Sequence, residues 1–167
     1  MAATGAAMTV VRVEWRTLSD GYHTMSDSDE LARRVAEHLL SREGTGPAWA
    51  IEIEEAREGY ARIAMTVRAD MLNGHAIAHG GMIFALADTA FAYACNSRNV
   101  STVAQAASIV FLAQAKAGER LLAEAREQAV SGRSGVYAVT VTAAEGRKIA
   151  EFQGLSRSLN QPVVDPP

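Results

Sequence analysis

At 167 residues with 49% hydrophobic content, the chain is long enough for one domain with a substantial core and too short for two comfortable ones. A net charge of -3, with no run of Lys or Arg interleaved with aromatics, argues against nucleic acid as a partner. The lone Cys95 cannot form an internal disulfide and suits a reducing, cytoplasmic setting, and no apolar stretch reaches the roughly 18 to 20 residues of a membrane span.

Residues 1–24 share little character with the rest of the chain: small residues, a short Val-rich run, and the Ser19-Asp20-Gly21 turn signal. They lack the basic start and long apolar core of a signal peptide. Met25 is a candidate alternative start, and 1–24 a dispensable extension. Asp27 with Glu30 three residues on resembles a capping box, and Leu31, Ala32, Val35, Ala36, Leu39 and Leu40 recur at helical spacing, which predicts a helix over 28–42. After Gly46 and Pro47 the period falls to two: Ala48, Ala50, Ile51 and Ile53 lead through Glu58-Gly59 to Tyr60, Ile63, Met65 and Val67, a predicted hairpin. Met82 to Cys95 then reads as a helix apolar nearly all round. Four strands are expected after it, at 103–113, 119–130, 135–144 and 147–158. One apolar helix among about six mostly antiparallel strands implies an α+β domain over 25–159, with the sheet curled around the helix. The tail, 160–167, holds three of the four prolines and is expected to be loose.

Of the fourteen residues from Met82 to Cys95, only Asp88 and Thr89 are not apolar. A carboxylate there must be paired, protonated or used, which makes Asp88 the candidate catalytic group. Gly80 and Gly81 open the same helix. They permit close backbone approach and leave N–H groups at the positive end of the helix dipole, the donors that an oxyanion requires. Asp88 lies eight residues beyond Gly80, about 12 Å of helical rise, so one carbonyl group cannot touch both within a single chain. Joint action requires a two-fold dimer with two composite sites. His75 and His79 precede the helix in a glycine-flanked loop and, beyond Asp70, lack a third ligand, so no metal is expected. Asn73 either caps a turn or donates its amide to a bound carbonyl. Thr89 reads as a hydroxyl satisfied within the helix rather than a nucleophile, and Phe91 and Tyr93 as core, with the lining of an acyl pocket as the alternative for either.

Asn73-Gly-His, His79-Gly-Gly and the run from Phe84 through Asp88 to Ser97 together resemble the signature of the PaaI-type hotdog-fold thioesterases of phenylacetic acid degradation. The likeness runs from about Met25 to Leu159 and is closest in these motifs. It implies a hotdog fold and metal-free hydrolysis of aryl-acyl-coenzyme A esters of the phenylacetyl type. Coenzyme A is then part of the substrate, and no cofactor is required. The resemblance assigns Asp88 as the catalytic carboxylate and Gly80 as the N–H donor to the thioester oxygen, with His79 and Asn73 shaping the site. It also implies dimers that pair into homotetramers. Gly81, Arg98 and the turn residues Arg133 and Ser134 are candidates for binding the substrate, the arginines through coenzyme A phosphates. Two alternatives remain: a hotdog hydratase or dehydratase using His79, and a non-catalytic acyl-coenzyme A sensor.

Overall fold

The computed structural model describes residues 26–165, so the expected N-terminal extension lies outside the described residues. Helix α1 spans Asp27–Arg42. Its N-cap is Ser26, whose hydroxyl accepts from the Asp29 N–H at 3.2 Å, so the cap sits one residue earlier than the Asp27–Glu30 pairing suggested. Ala32, Val35, Ala36 and Leu40 form its buried stripe. Ala48 and Ala50, expected at the start of a strand, instead belong to a short helix α2, Thr45–Trp49, closed by Ala50 in the left-handed region at φ 52°. Pro47 inside that first turn explains the difference: it has no N–H to lose there and presets a helical φ.

The remaining elements follow the predicted order. Strands β1 (Glu52–Arg57) and β2 (Tyr60–Thr66) form the hairpin, turning at Gly59 with φ 69°. Helix α3 spans Gly80–Asn96, and β3 (Thr102–Phe111), β4 (Arg120–Ser131), β5 (Ser134–Thr142) and β6 (Lys148–Ser158) complete one antiparallel sheet in the order β1-β2-β4-β5-β6-β3. The sheet curls around α3, which packs against every strand. Inward residues alternate along the strands: Leu121, Ala123 and Ala125 on β4, Val139 and Val141 on β5. Gly154 on β6 lets Phe91 descend onto the sheet, because a Cβ there would come within 2.9 Å of the ring.

Two features of the edges matter for function. The β1 edge is packed by α1, whereas β3 lies open along almost its whole length. The tail departs from expectation: through Val164 it is tied down by Asn99, whose amide oxygen accepts from the Val163 and Val164 N–H groups while its Nδ2 donates to the Val164 carbonyl. Proline forbids a ladder but not this side-chain clasp. No helix among the described residues is long and apolar enough to cross a membrane.

Candidate active site

The loop entering α3 is a closed circuit of hydrogen bonds. The Asn73 N–H donates to the Ile77 carbonyl at 2.8 Å, and its side-chain oxygen accepts from the His75 N–H at 2.9 Å. Asn73 is therefore the turn cap, and using its oxygen this way leaves the Nδ2 amide without a partner among the described residues. The Ala78 N–H donates to Ala115 and the His79 N–H to Met71, which pins the loop to the body just before the helix begins.

His79 is the N-cap of α3. Its Nδ1 accepts from the Gly81 N–H at 2.9 Å, and its carbonyl accepts from the Met82 and Ile83 N–H groups. Three of the four donors at the helix start are thereby consumed, and only the Gly80 N–H has no partner among the described residues. This corrects the expectation that both glycines offer free donors: Gly81 is spent on its own cap. The same bond fixes the neutral imidazole tautomer, since an accepting Nδ1 puts the proton on Nε2.

Asp88 sits two turns along α3. The helix is buried on most sides, but Ala85, Asp88, Thr89 and Ala92 form a half-buried stripe. Asp88 makes no hydrogen bond and no ion pair among the described residues, and partial burial alone pushes its carboxyl above the usual aspartate range. No cationic neighbour neutralises it among the described residues. Tyr93, read as core, is indeed buried, with its hydroxyl donating to Glu43 at 2.5 Å.

Gly80 has a neighbour that no motif pointed to. Phe111, the last residue of β3, stands against it so closely that a Cβ at position 80 would lie 3.0 Å from the ring. The only signal for this contact is an aromatic at the end of a strand whose register is set by the folded sheet.

The proposed coenzyme A contacts fare differently. The Arg98 guanidinium is held by Glu58 at 2.9 Å and by Glu127 at 2.5 Å, and this pairing raises its pKa further while holding Glu127 below the usual carboxylate range. Arg98 is thus a tie between the end of α3 and the β1–β2 and β4 segments. Arg133 donates twice to the Ser158 carbonyl, and the Ser134 hydroxyl accepts from Arg157 at 3.3 Å. Both lie where Thr102 pairs with Ser158, at the opposite end of β3 from Phe111 and Gly80. Nine strand steps separate those ends, about 30 Å. Within one protomer the structure therefore does not bring Arg133 and Ser134 to Gly80. His75 is exposed, Asp70 is paired with Arg68 at 2.9 Å, and no group of three or more metal-binding side chains gathers among the described residues.

A family model described as the Thioesterase superfamily matches residues 75–150, which includes the Gly80 helix start and Asp88. The acyl-coenzyme A thioesterase PaaI of Escherichia coli (strain K12) is 40% identical over 124 residues, spanning 74% of this chain and 89% of that protein. The solved structure of the E. coli PaaI protein from the phenylacetic acid degradation operon is similar at a TM-score of 0.80 and 38% identity, over 81% of this chain and 99% of that one. A hypothetical thioesterase of Streptococcus pneumoniae TIGR4, solved with coenzyme A, is similar at a TM-score of 0.65 and 26% identity, over 67% and 90% of the two chains.

Proposed function

The chain belongs to the PaaI-type acyl-coenzyme A thioesterases of hotdog fold, and from that premise we propose that it hydrolyses aryl-acyl-coenzyme A esters of the phenylacetyl and hydroxyphenylacetyl type. The observation that carries this reading is Asp88, a desolvated carboxylate that has no partner among the described residues, on the helix whose first N–H likewise has none among them. The two groups are the minimum for acyl transfer. A carbonyl oxygen gathering charge accepts from the Gly80 N–H at the positive helix end, and a carboxylate attacks the carbonyl or takes a proton from water. Where the carboxylate activates water, the water oxygen bonds the acyl carbon, the C–S bond breaks and the proton leaves with coenzyme A as its thiol. Where it attacks, the C–S bond breaks as an anhydride forms and coenzyme A leaves as its thiol with a proton from solvent. Water then hydrolyses the anhydride to the acid and free Asp88.

The spacing along α3 requires two protomers for one site. Strand β3 supports such a dimer: it is a ten-residue edge with Val103, Val110 and Phe111 exposed, the kind of surface that ordinarily pairs or is covered. Antiparallel pairing of β3 with its copy extends the sheet across a two-fold axis and sets Gly80 of one protomer toward Asp88 of its partner. We extend the proposal to a tetramer of two such dimers and to the cytoplasm, where a reduced Cys95 persists. Asn73, with its amide free, and His79, through Nε2–H, are then donors at the rim of the site. Arg133 and Ser134 serve the nucleotide end of coenzyme A from the other protomer. A dehydratase would need a basic nitrogen on His79 facing the substrate, and the Nδ1 lone pair is already committed to Gly81.

The test is free-thiol release from phenylacetyl-coenzyme A and from a few aliphatic esters, by the wild-type chain and by Asp88→Asn. Turnover that falls about 10² to 10⁴-fold in Asp88→Asn supports the carboxylate role. Tight ester binding without turnover by the wild type would instead make the chain a sensor. In labelled water, single-turnover label found in Asp88 identifies attack by the carboxylate with the anhydride opened at the aspartyl carbonyl, whereas activation of water labels the released acid alone.

A further inference from the structure

Beside the free Gly80 N–H the protomer presents an aromatic face. Phe111 sits at the end of β3 opposite the fully buried Ala150, yet it remains 50% exposed. Its ring tip abuts Gly80: the Cζ and the two Cε atoms would lie 3.0, 3.4 and 3.5 Å from a Cβ at that position. Phe84, four residues on from Gly80 and so on the same helix face, is half-buried and packs edge-on against Phe152 with ring centroids 5.4 Å apart. A glycine at 80 is thus required twice, by the approach of a substrate oxygen to its N–H and by the approach of this ring to its Cα. Half of the surface of Phe111 remains open in the protomer.

We propose that Phe111 is a specificity-determining residue whose ring forms the wall of the acyl site beside the Gly80 N–H, favouring an aromatic acyl group over a short linear one. The proposal rests on the hydrolysis reading above and deepens it. With the thioester oxygen on Gly80, the acyl group leaves the carbonyl carbon within reach of Phe111. An acyl ring can take the offset or edge-on geometry aromatic pairs prefer, worth about two- to tenfold in affinity. An acetyl group ends before the wall and gains nothing from it.

Binding is measured first, in the Asp88→Asn background, so that turnover does not enter. Phenylacetyl-coenzyme A and acetyl-coenzyme A are titrated calorimetrically into Asp88→Asn and into Asp88→Asn/Phe111→Ala. The expected result is about five- to tenfold weaker binding of the phenylacetyl ester, with the acetyl ester within about twofold and the difference restored by Phe111→Trp. Equal weakening of both esters, no change in either, or no binding of either by the parent overturns the proposal. Should Phe111→Ala fail to fold, Phe111→Leu reads the same ratio with much of the apolar bulk retained. A wild-type chain that binds both esters and releases thiol from neither defeats the hydrolysis reading alone, and the binding ratio still decides Phe111. Thermal melts supply an independent check: Gly80→Ala should lose stability and regain it when combined with Phe111→Ala. Failure to regain it removes the contact on which the wall depends.

Discussion

Asp88 and Arg98 show how differently two charged residues on one helix and its exit behave. Desolvation raises the Asp88 carboxyl, so the folded chain holds that proton more tightly than the unfolded one. The corresponding stability is complete below the unfolded value and is lost as pH rises through the folded value, so at neutral pH the ionised group opposes folding. Asp88→Asn should therefore melt above wild type at about pH 7.5, and the gap should narrow as pH falls and close below about pH 3, where the carboxyl is protonated in the folded and the unfolded chain alike. A gap independent of pH would mean that the charge is compensated in the assembled protein. Arg98 is the opposite case, a cation held by two carboxylates. Arg98→Gln is expected to cost about 1 kcal/mol or less in denaturant melts, because the pairs are part-exposed. It should leave KM for coenzyme A esters within about twofold, since on this reading the side chain has no free face for a phosphate. A large rise in KM with unchanged stability would restore Arg98 to the binding site.

At the scale of elements, β3 carries the sharpest expectation. Successive residues of a strand send their N–H groups to opposite sides, so of Ala107→Pro and Ser108→Pro one removes a donor to β6 and the other a donor to the open edge. The first should lower the melting temperature of the protomer, and the second should leave the fold while shifting the assembly to monomers in light scattering, with loss of turnover. If both variants remained dimers, β3 would not be the interface. The elements themselves were legible from pattern, because the helical period of 31–40 and the alternation of the strands each report one local geometry and burial then enforces it. The short helix α2 was not, since Ala48 and Ala50 fit a period of two until Pro47 is recognised as a first-turn residue. Within the site, a lone acid in an apolar helix marked Asp88 without any structure. Gly80 and Gly81, by contrast, are identical in sequence, and only the direction of the His79 ring decides which donor is spent. Arg98 eluded the sequence because Glu58 and Glu127, 40 and 29 residues away, meet it only through the fold.

At the scale of the whole molecule, the question is whether one active site is shared by two chains, and the backbone donor offers a direct way to ask it. Proline at position 80 removes the Gly80 N–H without breaking α3: it occupies the first helical position, where no intrahelical bond is lost. His79, at φ −63° and ψ 132°, already has the extended conformation that a residue before proline prefers. The proline Cβ would meet the Phe111 ring at 3.0 Å, and Phe111→Leu in the same chain eases that contact. Gly80→Pro and Asp88→Asn should each lose at least about 10²-fold in turnover. Denaturing, mixing and refolding the two together produces heterodimers in which one site inherits both defects and the other neither, because its Gly80 comes from the Asp88→Asn chain and its Asp88 from the Gly80→Pro chain. With random pairing half of the dimers are mixed and each holds one intact site, so the mixture should regain roughly a quarter of wild-type activity. Were the donor and the carboxylate to act within one chain, every site in the mixture would carry one defect and activity would stay at the level of the separate variants.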